Sequence, residues 1–179
     1  GNQGLQGNQG TQGIGFQGSQ GLQGLKGQDG NFGGATFEYT FTTDTLNNVE
    51  SGTDPGTGKL GFSYVGITTA TKLFIDDEDG GNTNTNIETF LRTIDDSDST
   101  IKGHFRISNR FNSDDFALFT ISGTNLEVDT YHTVTCSYVS GSATSFDNDE
   151  DIIITFARTG DKGDQGNQGT QGLQGNQGL

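Results

Sequence analysis

From Phe37 onward apolar and polar residues alternate. Phe37, Tyr39 and Phe41 are interleaved with Glu38, Thr40 and Thr42, the pattern of a strand with one buried and one wet face. The same reasoning predicts strands at Leu60–Val65, Lys72–Ile75, Ile101–Ile107, Phe116–Ile121, Tyr131–Val139 and Asp151–Ala157. Clusters of Gly, Asn, Asp and Ser separate them. One stretch changes period. Ile87, Phe90, Leu91 and Ile94 fall at i, i+3, i+4 and i+7, a helical apolar stripe. Thr85 and Glu88 have capping-box spacing. Asp95-Asp96 would oppose the helix dipole, so the helix should stop by Ile94. Seven or so short strands and one short helix predict an all-β domain over 34–159, an antiparallel β-sandwich of jelly-roll type.

On both sides of this domain the period becomes three. Glycine occupies 1, 4, 7, 10 and 13, then every third position from 15 to 33, and again from 160 to 178. Nineteen of the 30 glycines lie in these arms, 1–33 and 160–179, and only Gly13–Gly15 breaks the spacing. All glutamines are in the arms, and all but Gln28 directly precede a glycine. A flexible linker needs neither constraint. A collagen triple helix needs the first, because only glycine fits where three polyproline-II-like chains meet at the axis. The expected assembly is therefore a homotrimer, each chain partnered by two identical copies. At ~3.1 Å per residue the arms would form rods of roughly 100 Å and 60 Å. At the break the expectation is a local kink, with Ile14 and Phe16 as exposed apolar handles.

Composition sharpens this reading. Hydrophobic residues are only 28% of the chain, but the arms dilute that figure. The middle domain holds enough chain for a core of its own. The net charge is −14, and a trimer carries three times as much. Such a surface repels nucleic acid and anionic membrane. No apolar run is long enough to span a bilayer, so no membrane insertion is expected. No signal peptide is evident. There is no methionine, and GLQGNQG at Gly4–Gly10 recurs at Gly172–Gly178. The expectation is one unit of a longer fibre, with further units end to end.

Candidate chemistry is sparse. His104 and His132 each lie in a strand candidate, and their partners cannot be named from spacing. His104 shares a polar face with Lys102 and Arg106. The single cysteine, Cys136, alternates with Val134 and Tyr138, the place of a buried free thiol; an interchain link in the trimer is the other reading. No P-loop, nucleophile elbow, HExxH or CxxC is present, so no catalytic residue is assigned and no enzyme is expected. Two acidic clusters offer hard oxygen ligands suited to calcium: Asp76, Asp77 and Asp79 in one, Asp147, Asp149 and Asp151 in the other. Neither fits EF-hand spacing, and solvated acidic turns are the simpler reading. No other cofactor is expected.

Four blocks carry a resemblance: Thr100–Ser108 (TIKGHFRIS), Phe116–Gly123 (FALFTISG), Tyr138–Gly141 (YVSG) and Asp151–Gly163 (DIIITFARTGDKG). Together, over roughly 36–164, they resemble a domain of virion structural and tail-fibre proteins of tailed phages, marine ones especially. There the FARTGDKG junction likewise opens into collagen-like triplets. The resemblance implies an extracellular virion appendage and a trimeric fibre. It names no receptor, and related collagen-like fibres also form bacterial cell-surface filaments. The first expectation is thus a structural fibre whose globular domain sets trimer register and spaces the rods. The second is an adhesin whose domain binds a host surface glycan or protein.

The arms contain no proline; Pro55 lies between them. Nothing presets φ near the polyproline II value, so each triplet loses more entropy on ordering. The free peptide 160–179 is accordingly expected to show no cooperative triple-helix melt above room temperature by circular dichroism. A sharp melt well above it would contradict this account of the arms.

Overall fold

The computed structural model describes residues 34–45, 53–64 and 66–161. Apart from Gly160 and Asp161, both Gly-x-y arms, with the break at Gly13–Gly15 and the handles Ile14 and Phe16, lie outside the described residues. So does Val65.

The described residues form an all-β domain. Its strands are β1 (Ala35–Phe41), β2 (Lys59–Phe62), β3 (Lys72–Asp76), β4 (Gly103–Asn109), β5 (Phe116–Val128), β6 (Tyr131–Gly141) and β7 (Asp151–Arg158). Each alternating segment of the sequence becomes a strand. The expected sandwich does not form. The strands make one sheet in the order β1-β2-β3-β6-β5-β4-β7, closed by β7 pairing back on β1. Alternation says that each strand has one buried face. It does not say whether those faces meet across two layers or inside one closed sheet. Closure removes the unpaired edges that a sandwich would have to protect. The expected all-antiparallel pairing also has one exception: β1 and β2 run parallel, in register only at Thr40↔Lys59 and Phe41↔Leu60.

Phenylalanines fill the interior. Phe62 and Phe105 both stack on Phe119, each with ring centroids 4.9 Å away. Phe41 links Phe62 to Phe146. Phe156 links Phe105 to Phe90, and Phe90 reaches Phe37 at 5.0 Å. The rings thus run as one aromatic column from Phe146 to Phe37. Offset and tilted pairs are the preferred aromatic geometries. Aliphatic residues such as Leu60, Leu73, Ile107, Val134 and Ile154 complete the core. Cys136 is buried among them, and burial pushes its thiol up to about 12.

The helix is shorter than its stripe. Helix α1 is Glu88–Leu91, and the chain continues in turns to Asp95. It does end before Ile94, as the acidic residues require. Ile87, Leu91 and Ile94 are buried, and Phe90 packs on the core. The capping box does not form. Ile87 is the N-cap, the Glu88 N–H is donated to Asn86 Oδ1, and Arg92 bonds the Glu88 side chain. Strand β5 overruns its expected end because, beyond a register shift between Ile121 and Asn125, its backbone still pairs with β6 as far as Val128. In β4 the order is reversed: Ile101 is exposed and the ladder begins at Gly103.

Strand β1 begins where β7 ends, since Ala35 faces Phe156 and Thr40 faces Asp151. The chain therefore enters and leaves the barrel on neighbouring strands at one end. Strand β4 starts at that end, opposite Arg158, and runs away from it to Asn109, opposite Ile152. The β4–β5 turn that follows, with Phe111 81% exposed, belongs to the other end.

The column predicts a sharp contrast between two phenylalanines. Phe119→Ala should cost about 3–5 kcal/mol in denaturant unfolding, from lost transfer energy plus a cavity. Phe111→Ala should stay within about 0.5 kcal/mol of the parent. Equal losses would show that the column is not the core.

Candidate functional site

Strand β3 ends at Asp76, and the acidic segment after it folds back beside β1. Its carboxylates are used in different ways. Asp76 is buried, and its Oδ1 accepts the N–H groups of Gly58 at 3.1 Å and Glu78 at 3.0 Å. Gly58 sits at φ +69°, and a Cβ there would lie 3.1 Å from Gly80 Cα, so the close approach needs glycine on both counts. Asp79 Oδ1 accepts the N–H groups of Gly81 and Thr85, closing the turn. Gly80 donates its N–H to Glu38 O, tying the segment to β1.

Asp77 points inward. It is 6% exposed, and its Oδ1 lies 3.2 Å from Nε2 of His132, which is fully buried. Neither atom has another hydrogen-bond partner, and the geometry between them is poor for a hydrogen bond. The other side of the ring explains the contact. Asn125 donates its Nδ2 to Leu91 O at 2.7 Å, so its Oδ1 faces His132 Nδ1 at 3.1 Å and accepts from it. With the proton on Nδ1, the Nε2 lone pair faces a carboxylate oxygen. Two buried acceptors cannot sit 3.2 Å apart at low cost, so a proton between them relieves the contact. The titration directions agree. Burial, helped by Glu88 and Glu127, pushes the Asp77 carboxyl up to about 6, while burial pushes the His132 imidazole below its usual value. Below about pH 6 the favoured state is a neutral carboxyl facing a neutral imidazole.

Beside this pair is a cavity of about 250 Å³, lined by Asp54, Asp76, Asp77, Glu78, Asn86 and Thr130 among others. Every charged group lining it is a carboxylate. Nearby, on the protein surface, Arg92 bridges Glu88 and Glu127 with contacts of 2.6 Å to each.

The structure thus brings Asp76 and Asp77 to one cavity and commits Asp79 to its own turn. Asp147, Asp149 and Asp151 are exposed in another place. There Asp149, at φ +62°, pairs with Lys59 at 2.9 Å. The Asp147 N–H is donated to Glu150 Oε2, and Asp151 opens β7 opposite Thr40. Among the described residues no three His, Cys, Asp or Glu side chains come together as a metal group. His104 is half-buried on β4, in register with Thr120 and Ala157. Sequence reasoning missed the Asp77–His132–Asn125 chain. It depends on Ile75 facing His132 and Asn125 facing Val134 across the sheet, and no local spacing carries that register.

These residues define an acidic, cavity-bearing β-barrel. Compared with protein-family models, with curated proteins and with solved structures, the chain matches none. Among the described residues no helix is long and apolar enough to cross a membrane.

The buried proton gives a signed pH dependence. The folded state holds it more tightly than the unfolded chain, whose carboxyl titrates near ~4. Its contribution is therefore full below about pH 4 and is lost as the pH rises through about 6. Asparagine at this position has no carboxyl proton to lose. Thermal melts should show Asp77→Asn gaining on the parent between pH 4 and pH 7. A flat difference across that window would remove the proton from between the two side chains.

Proposed function

We propose that the chain is a structural segment of a trimeric extracellular fibre, a virion appendage or cell-surface filament. In this reading the Gly-x-y arms wind with those of two identical chains, and the barrel sets their register and spaces the rods. The single observation that supports it is the strict glycine period on both sides of one folded domain. The domain is compatible with that role. Its first and last strands, β1 and β7, are adjacent, and the start of one meets the end of the other. The phage-fibre resemblance supports the same assignment. The high negative charge suits a filament that must stay dispersed.

A second reading, an adhesin for a host glycan or protein, is favoured by the exposed end of the barrel. There Phe111 stands free in solvent with the Arg110 guanidinium 5.7 Å from its ring. A guanidinium within about 6 Å of a ring makes a cation–π pair.

Native mass spectrometry and electron microscopy of the full chain test the first reading. The expected result is three chains and thin rods, with a circular-dichroism signature that melts cooperatively. One or two chains, or compact particles without rods, would defeat it. Binding to host surfaces that Phe111→Ala abolishes, with trimer and rods intact, would move the role to the adhesin.

A further inference from the structure

The two strands that carry the chain into and out of the barrel are paired with each other. They are antiparallel, with Ala35 facing Phe156 at the end where both flanking segments attach. Any pull through the two ends of the chain therefore acts on one end of a single strand pair. Ladder hydrogen bonds lie perpendicular to the strands. Such a pull runs along the bonds and loads one rung at a time. A pull from opposite ends of a pair runs across the bonds and loads all rungs together.

The two strands are held unequally. Strand β7 is in register with β4 at every residue from Ile152 to Arg158. Its end is secured further, by the Thr159 N–H donated to Lys102 O and by the Ser97 hydroxyl donated to Gly160 O. Strand β1 has β7 on one side. On its other side the parallel register with β2 covers only Thr40 and Phe41, and nearer its start the Gly80 N–H reaches Glu38 O. At the mouth the Thr36 and Thr155 hydroxyls meet at 3.0 Å. Just inside, Phe90 of α1 packs against both Phe37 of β1 and Phe156 of β7.

We propose that the β1–β7 pair is a peel-open clasp: tension along the chain strips β1 from its start, opens the barrel at low force and lengthens the chain, and the barrel recloses when tension falls. Peeling uncovers Phe37 and the ring of Phe90, so reburial of apolar surface drives the return. Full release of the span from Ala35 to Arg158 adds roughly 400 Å at about 3.4 Å per residue. The device needs only the connectivity of the strands, so it stands or falls separately from the triple-helix reading.

Single-molecule pulling tests it. The full chain is tethered through Gly1 and Leu179. It is compared with a tether from Asp114→Cys, on the exposed β4–β5 turn, to Leu179. The second geometry pulls β4 and β7 from opposite ends and shears their ladder. The expected result is that the end-to-end tether opens at severalfold lower force, with a short first step as β1 leaves, and refolds on relaxation. An end-to-end force equal to or above that of the cross-barrel tether, or release of the whole length in one high-force step, would overturn the clasp. Phe111→Cys, on the same turn, gives the same comparison if Asp114→Cys disturbs folding.

Discussion

Closing seven strands around a column of phenylalanines is the constraint on which this domain depends. A closed sheet has no edge, but it must be filled from end to end. Phe41, Phe62, Phe105, Phe119 and Phe156 do so from five different strands. Phe146 and Phe90 extend the column from the β6–β7 loop and from α1. Rigid rings with few rotamers fill such a space at low entropic cost. The short helix makes sense in these terms: four residues are too few for a stable helix alone, and this one is held by Phe90 and Leu91 reaching the core.

Closure has a weak seam. Between β1 and β2 the ladder is parallel and two residues long. The acidic segment after β3 compensates, with Asp76 holding Gly58 and Gly80 holding Glu38. Carboxylates that accept backbone N–H groups make charge-assisted bonds, stronger than neutral ones. Asp76 is therefore a structural part of the closure, whatever else the loop does. Asp77 lies deeper, with its Oδ1 3.2 Å from Nε2 of His132. The network reaches through Asn125 to Leu91 O, tying α1 to the sheet.

The proposed roles draw on the way the domain is wired into its chain. A domain that begins and ends on adjacent antiparallel strands leaves its opposite end free. In a fibre that arrangement gives an attached end and an exposed end. One end carries the paired Thr36 and Thr155 and Phe90 of α1 against Phe37 and Phe156, and the other carries the exposed Phe111. The proposed register role draws on the first, the proposed recognition on the second, and the clasp on the pairing of β1 with β7.

Much of this was legible in the sequence. Phe37/Tyr39/Phe41 and the other alternating runs located all seven strands, because a half-buried strand must repeat every two residues. The stripe from Ile87 to Ile94 marked α1. Alternating Val134, Cys136 and Tyr138 put the thiol inside. What only the tertiary structure decided was which strands meet. The choice of barrel over sandwich, the parallel β1–β2 seam, and the contact of Asp77 with His132 all depend on pairing between residues far apart in the chain. Local periodicity reports which face of a strand is dry. It is silent about the neighbour, because hydrophobic burial is non-directional and any complementary apolar face satisfies it.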